Sequence, residues 1–128
     1  MKKLLALLAT VLLTANANAG AFPDISIDEL KTAIAAKNVT IFDVNGTDSY
    51  KAGHVPGAID FTAHKAEIST LLPTDKGALV VAYCGGPTCG AYAQAAKAAQ
   101  ALGYTNVKHL AVGISGWKAA KAPLETAK

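Results

Sequence analysis

A run of apolar residues at positions 77–83 restricts the fold of this chain more than any other feature. It reads Gly-Ala-Leu-Val-Val-Ala-Tyr, and no polar residue alternates with the apolar ones. A strand of this composition is buried on both faces, as in a parallel sheet that lies between two layers of helices. Cys84 follows directly. The sequence therefore predicts a central strand with a cysteine at its carboxyl end.

The rest of the chain alternates between strand-like and helix-like segments. Strands are predicted at residues 39–44, 58–61, 77–83 and 106–112. Helices are predicted at residues 26–36, 48–52, 63–72, 90–102 and 115–120, with boundary signals at Ser26, Glu29, Pro73 and Gly103. No repeat or long linker interrupts the pattern. We therefore expect one α/β domain, a three-layer α/β/α arrangement around a central, mostly parallel sheet.

The first nineteen residues have the features of a secretory signal peptide. Lys2 and Lys3 are followed by an apolar run at residues 4–13 and by small residues at Ala17 and Ala19. The apolar run is well short of the roughly 20 residues that a membrane-spanning helix needs. We expect residues 1–19 to be removed, residues 20–128 to form the mature domain, and the protein to be periplasmic or secreted without a stable membrane anchor.

The charge of the chain argues against nucleic acid as a partner. The formal net charge is +3, and removal of Lys2 and Lys3 lowers it to +1, whereas nucleic-acid binding calls for a basic surface. All twelve basic residues are lysines. A lysine attracts an oxyanion as a point charge, whereas arginine can form two parallel hydrogen bonds to it.

His64 and His109 show no ligand spacing with the cysteines, so we expect no metal and no cofactor. Nothing in the sequence suggests an obligate assembly, and we expect a monomer.

Cys84 opens a glycine-rich segment that we call the cysteine loop, residues 84–90. At the carboxyl end of a central strand it would lie in the crevice where open α/β sheets bind ligands. Gly85 and Gly86 allow the backbone to curl, so that N–H groups converge before a helix and lower the pKa of a thiol there. Pro87 stiffens the loop and removes one N–H donor. The alternative is that Cys84 is a small buried apolar residue at a strand end.

Cys89 has two interpretations. After export to an oxidising compartment, Cys84 and Cys89 are candidates for a reversible disulfide, with Cys89 as the redox partner. A disulfide only five residues apart closes a very small loop, so it contributes little as a structural staple. The other interpretation is that Cys89 packs at the start of the following helix.

Three segments of the chain together resemble the rhodanese family. The first is Ile-Phe-Asp-Val at residues 41–44 with Tyr-Lys-Ala-Gly-His-Val-Pro-Gly-Ala at residues 50–58. The second is Val-Ala-Tyr-Cys at residues 81–84 with its loop and helix, and the third runs from residues 102–107 to Gly116, Trp117, Pro123 and Leu124. The resemblance covers roughly residues 25–125. It implies the rhodanese-like fold.

The resemblance also implies an activity, in which Cys84 takes a sulfane sulfur from a donor, holds it as a persulfide and passes it to a thiophilic acceptor. Donor and acceptor would be small molecules or a protein thiol. The loop from Cys84 to Cys89 has six residues, as in sulfur-transferring members, whereas related phosphatases and arsenate reductases use a longer loop that closes on an arginine. The substrate-binding loop would comprise Gly85, Gly86, Pro87, Thr88, Cys89 and Gly90.

Two positions depart from the pattern of many family members. Asn45 stands where they carry an arginine after the aspartate, and Cys89 stands where they carry an arginine or a hydroxyl residue at the sixth loop position. Without a guanidinium to guide the thiosulfate dianion, we expect a persulfide or thiol-bound donor to serve better.

Two further residues are candidates for supporting roles. Asp43 either orients the loop or caps the end of its own strand. His54 either acts as a general base or locks the turn around it with a hydrogen bond. Two other functions stay open beside sulfur transfer: a redox-regulated or thiol-redox protein that uses the Cys84 and Cys89 pair, and a catalytically weak binding module.

Overall fold

A computed structural model describes residues 22–127 of the chain. Within this range the core is one sheet of four strands, all parallel, in the order β2-β1-β3-β4. The strands are β1 (Val39–Asp43), β2 (Ile59–Asp60), β3 (Leu79–Tyr83) and β4 (Val107–His109). This arrangement confirms the predicted α/β class. The predicted signal peptide and its cleavage site lie outside the described residues.

Six α-helices accompany the sheet in the described part of the chain. They are α1 (Ile27–Ala35), α2 (Thr47–Ala52), α3 (Phe61–His64), α4 (Ile68–Leu71), α5 (Tyr92–Ala101) and α6 (Gly113–Ala119). A short 3₁₀ turn, Lys65–Glu67, joins α3 to α4. Ser26 caps α1, because its hydroxyl accepts a hydrogen bond from the Glu29 N–H at 3.1 Å.

The two faces of the sheet are buried in separate apolar clusters. Val80 and Ala82 of β3 belong to one cluster, with three alanines of α5, and Val81 belongs to the other, with Leu30 of α1 and Trp117 of α6. Side chains alternate between faces along a strand, so β3 contributes to both clusters. The three layers predicted from the apolar run at residues 77–83 are therefore present.

The alanines of α5 allow that helix to lie close to the sheet. Ala95, Ala96 and Ala99 are all fully buried. Trp117 is also fully buried, and its indole N–H donates to the carbonyl oxygen of Pro123 at 2.6 Å. This hydrogen bond satisfies the polar atom that a buried tryptophan carries. Trp117 is therefore a core residue that joins α6 to the segment that follows it.

Several predicted boundaries were wrong. Phe61 was placed in a strand but begins α3, because the Asp60 carboxylate accepts from the Thr62 and Ala63 N–H groups and caps a helix there. The predicted helix at residues 63–72 is divided by the 3₁₀ turn. Strand β4 ends at His109 instead of residue 112, and α6 begins at Gly113 instead of residue 115.

The burial of α1 gives a direct test of the packing. Leu30 is fully buried, whereas Leu102 at the end of α5 is 37% exposed. We expect Leu30→Ala to lower the free energy of unfolding by about 2–5 kcal/mol, because it removes buried methyl groups and leaves a cavity. Leu102→Ala, the same substitution at the surface, should change it by about 0.5 kcal/mol or less. Urea denaturation of both variants measures the difference, and equal losses would contradict this packing.

Candidate functional site

The cysteine loop begins where the sheet changes the direction of its connections. From β1 the chain continues to β2 on one side, and from β3 it continues to β4 on the other side. The carboxyl ends of β1 and β3 therefore flank the crevice where α/β sheets bind ligands. Asp43 at the end of β1 pairs in register with Tyr83 at the end of β3, and Cys84 follows Tyr83. The predicted placement of Cys84 after a central strand is what the structure has.

A disulfide joins Cys84 to Cys89, with their Cα atoms 6.3 Å apart. It connects the first residue of the cysteine loop to the sixth. The Cys84 sulfur is buried and also lies 3.3 Å from the carbonyl oxygen of Cys89. A disulfide sulfur has no hydrogen to donate, so this contact becomes a hydrogen bond only when the pair is reduced. Neither cysteine is a nucleophile in the bonded state.

Backbone hydrogen bonds hold the loop from two sides. The carbonyl oxygens of Cys84 and Gly85 accept from the N–H groups of Ile114 and Ser115 at 2.9 and 3.0 Å, at the start of α6. Within the loop, the Cys89 N–H donates to the Gly86 carbonyl oxygen at 3.1 Å. The loop conformation is thus fixed by backbone hydrogen bonds, which require no particular side chain. The first residues of α6 supply two of them.

Gly113 is a site residue that the sequence reasoning missed. Its φ is +62°, and a Cβ built there would lie 2.5–2.7 Å from backbone atoms of Gly86, Gly85 and Cys84. No real side chain tolerates such distances, so only glycine lets α6 approach the loop this closely. A glycine directly after the strand predicted at residues 106–112 was the signal that the sequence offered.

Asp43 is buried and accepts two hydrogen bonds. The Tyr83 hydroxyl donates to its Oδ2 at 2.7 Å, and the Asn45 N–H donates to its Oδ1 at 2.8 Å. The same Tyr83 hydroxyl accepts from the N–H of Val55 at 3.0 Å. Asp43 thereby caps the end of β1 and connects it to β3 and to the turn that contains Val55. Tyr83 was not among the predicted site residues, because an apolar strand gives no sign that its last residue carries a hydrogen bond.

The surroundings of Asp43 and Tyr83 shift both of their pKa values upward. Burial raises the pKa of the Asp43 carboxyl above its ordinary value, and the hydrogen bonds from Tyr83 and Asn45 oppose that shift only in part. Burial, and next the nearby Asp43 charge, raise the pKa of the Tyr83 hydroxyl, so it stays protonated as a donor.

The side chain of Asn45 lies beside the loop. A Cβ at Gly85 would lie 3.8 Å from Asn45 Oδ1. The amide nitrogen of Asn45 is buried and has no hydrogen-bond partner within residues 22–127. The same side chain lies close enough to the Asp43 carboxyl to oppose the rise in its pKa. An uncharged amide therefore stands at the position where many family members carry a guanidinium.

His54 is engaged in packing and in hydrogen bonds around its own turn. Its Nδ1 lies 2.7 Å from the Tyr50 carbonyl oxygen, which can only accept, so Nδ1 carries the hydrogen. The imidazole stacks on the Tyr50 ring at 3.7 Å, and its Nε2 lies 3.7 Å from a Glu125 carboxylate oxygen. These contacts are those of a turn-locking residue.

The other two histidines lie in different surroundings. His64 is exposed, with Nδ1 3.7 Å from a carboxylate oxygen of Glu67. His109 stacks on Tyr92 at 3.4 Å, and burial lowers the pKa of its imidazole. Within residues 22–127 there is no group of three or more histidine, cysteine, aspartate or glutamate residues arranged to hold a metal ion. Across the same range, no helix has the length and apolar character to cross a membrane.

A family model described as the rhodanese-like domain matches residues 26–120. The chain therefore belongs to the rhodanese-like domain family, as its three motif segments predicted. It is similar to an HTH-type transcriptional regulator of Mycobacterium tuberculosis, with 36% identity over 98 residues. The aligned part is 76% of this chain but only 42% of the regulator, so the chain spans less than half of that relative.

Solved structures of the same family share the fold. The solution structure of a rhodanese-like domain from an Anabaena protein is 25% identical, with a TM-score of 0.64 over 82% of this chain and 80% of that one. A human single-domain sulfurtransferase is also 25% identical, with a TM-score of 0.57 over 76% of this chain and 96% of that one. At the level of the family, these findings support a role of the sulfurtransferase type.

The contact between Gly113 and the loop can be tested against a matched glycine. Gly57 has a φ of +81° but no atom within 4 Å of a Cβ built there. Alanine at either position should cost about 1–2 kcal/mol for the left-handed backbone. Gly113→Ala should cost about 1–3 kcal/mol more, because its Cβ displaces the loop backbone. Thermal or urea unfolding measures the difference, and equal losses from the two variants would show that α6 does not press on the loop.

The raised pKa of Asp43 predicts a dependence of stability on pH. The folded protein holds the Asp43 proton more tightly than the unfolded chain does. Its stabilising contribution is therefore complete below the ordinary aspartate pKa and is lost as the pH rises through the raised folded value. Asp43→Asn cannot titrate at this position. The free energy of unfolding of the wild type, minus that of Asp43→Asn, should decline over this interval in urea titrations. A difference that is constant or rises with pH would contradict the shift.

Proposed function

We propose that this protein is a sulfurtransferase that carries a sulfane sulfur as a persulfide on Cys84. The observation that carries the proposal is the position of Cys84, which opens the cysteine loop at the carboxyl end of β3 in a chain of the rhodanese-like family. Six residues run from Cys84 through Cys89. The reactive state is the dithiol, because the disulfide with Cys89 occupies the sulfur. Reduction of this bond precedes sulfur uptake.

The reaction divides into two displacements at sulfur. The Cys84 thiolate attacks the sulfane sulfur of the donor, a new sulfur–sulfur bond forms, and the donor leaves with the electron pair of the bond that breaks. A thiolate acceptor then attacks the terminal sulfur and releases the Cys84 thiolate. Splitting one transfer into two in this way is covalent catalysis.

Backbone N–H groups are the donors that we assign to the persulfide anion. The N–H groups of Gly85, Gly86 and Thr88 have no hydrogen-bond acceptor within residues 22–127. Pro87 has no N–H, and the Cys89 N–H is already bound to Gly86. Free amides near a sulfur anion stabilise the negative charge that develops there.

The preferred donor in this proposal is a persulfide or another thiol-bound sulfane rather than thiosulfate. The chain has no arginine, and the neighbouring side chain at the usual position is the uncharged amide of Asn45. An amide donates to a single negative charge but does not offset the double charge of thiosulfate. The acceptor is a small thiol or a protein thiol.

Sulfur uptake can be measured by intact mass. After reduction and removal of the reductant, incubation with glutathione persulfide or thiosulfate should add one sulfur atom to Cys89→Ser, because this variant keeps the nucleophile and cannot close the disulfide. Cys84→Ser should gain none under the same conditions. Uptake by neither variant from any sulfane donor would refute the proposal, and so would equal uptake by both.

The disulfide favours a thiol-redox protein as a second candidate. In that function the Cys84 and Cys89 pair exchanges electrons with other thiols and no sulfur is carried. The mass measurement separates the two candidates, since a redox protein loses two hydrogens on mild oxidation but never gains sulfur from a donor. A catalytically weak binding module, the third interpretation, would show neither sulfur uptake nor turnover with thiols.

Export belongs to the same proposal. Residues 1–19 would direct the chain to the periplasm or to secretion, where disulfides persist and a reductant must be supplied. The mature protein would act as a monomer on small sulfur compounds and thiols. Amino-terminal sequencing of the exported protein, beginning at Gly20, is the corresponding measurement.

A further inference from the structure

In the structure the Cys89 sulfur is bonded to Cys84 Sγ, the atom that would carry the persulfide. Reduction of this bond leaves a second thiol beside that atom. The Cα atoms of Cys84 and Cys89 are 6.3 Å apart, a separation that disulfide bonds accept. The Cys89 N–H to Gly86 hydrogen bond and the contacts of Ile114 and Ser115 hold the loop in this form. These backbone contacts keep the Cys89 sulfur within bonding distance of Cys84 Sγ, which would be the inner sulfur of a Cys84 persulfide.

We propose that Cys89 is a resolving thiol, which converts the Cys84 persulfide into a disulfide and releases hydrosulfide. This inference rests on the proposed sulfurtransferase function and adds a further activity to the same loop: reductive release of sulfide without an external acceptor. The chain then takes sulfur from a sulfane donor and delivers it as sulfide.

The step balances in atoms and electrons. Cys89 sulfur attacks Cys84 Sγ, the bond between the two cysteines forms, and the bond from Sγ to the carried sulfur breaks. The carried sulfur leaves with the electron pair of that bond and with the proton of the Cys89 thiol, as hydrosulfide. It is reduced by two electrons, and the two cysteines are oxidised by the same two. An external dithiol then restores the pair by thiol–disulfide exchange.

The short segment between Cys84 and Cys89 indicates that their disulfide serves a reaction more than it stabilises the fold. The stabilisation that a disulfide gives to a fold grows with the length of chain that it closes, and this one closes only the segment between Cys84 and Cys89. The loop is already anchored by the amides at the start of α6. Forming the Cys84–Cys89 disulfide therefore adds little to the stability of the fold. Its main consequence in this proposal is chemical, because it displaces the sulfur atom that Cys84 carries.

Proximity gives the internal thiol its advantage over a free one. A group tethered by a short segment acts at an effective concentration of about millimolar or higher. Attack on the outer sulfur would only move the carried atom from Cys84 to Cys89. Attack on the inner sulfur is the productive direction, because it yields the disulfide that the structure contains.

The test compares the fate of the carried sulfur in two proteins. Reduced wild type and reduced Cys89→Ser are loaded with glutathione persulfide, desalted rapidly and kept without any thiol. Sulfide is measured with monobromobimane in protein-free filtrates, so that the reagent does not alkylate Cys89 or the persulfide, while the intact mass of the protein is followed. Wild type should release one sulfide per loaded chain and end at the disulfide mass. Cys89→Ser should keep its added sulfur and release sulfide only when an external thiol is supplied, at about millimolar concentration to match the wild-type rate.

Two further measurements keep the result unambiguous. Release from wild type should follow first-order kinetics with a rate constant that does not change on dilution, as an intramolecular step requires, and a rate that falls on dilution would overturn the proposal. Cys89→Ala should behave as Cys89→Ser does, so that the serine hydroxyl is excluded as the cause. Circular dichroism checks that both variants are folded.

The outcomes distinguish this inference from the function on which it rests. If Cys89→Ser takes up sulfur but wild type retains its persulfide equally long, Cys89 is not a resolving thiol and sulfur transfer through Cys84 stands. If neither Cys89 variant nor wild type ever takes up sulfur from the donor, both proposals are refuted.

Discussion

The carboxylate of Asp43 joins three segments of the chain at the point where the sheet meets the cysteine loop. It accepts from the Tyr83 hydroxyl, which in turn accepts from the Val55 N–H, so β1, β3 and the turn after α2 meet at one buried charge. Burial makes the charged form of this carboxyl costly, and the hydrogen bonds offset that cost only in part, so its pKa is raised. The end of β3 is fixed by this arrangement, and the position of Cys84 follows from it.

Beyond that point the loop depends on backbone contacts. The amides of Ile114 and Ser115 bind its first two carbonyl oxygens, and Gly113 permits the close approach of α6. Within residues 22–127 the N–H groups of Gly85, Gly86 and Thr88 have no acceptor, and the disulfide holds the loop in its oxidised form. The family supports a role of the sulfurtransferase type, and the disulfide joins Cys84 to a second cysteine within the same loop.

The elements that the sequence predicts well are those whose signal is local and strong. The apolar run that contains β3 is shorter than a usual core helix and includes the β-branched Val80 and Val81, so a buried strand is favoured. Cys84 is placed by its position after that run. Phe61 was misplaced because an apolar residue suits a strand and a helix alike, and the Asp60 cap decides between them. Tyr83 and Gly113 were missed because their roles arise from partners that are distant in sequence, Asp43 and Val55 in one case and the loop backbone in the other. Tertiary contacts of this kind leave no periodic pattern in the chain.

The cysteine loop, residues 84–90, contains no charged side chain. Attraction by amide dipoles decays over a much shorter distance than attraction by a guanidinium, so the loop exerts little pull on a donor that is still in bulk solvent. Encounter is then governed by diffusion and shape, and ionic strength has little influence on its rate. The proposed export would place this uncharged loop where salt concentration follows the surroundings of the cell, and the proposed sulfur capture would then vary little with salt.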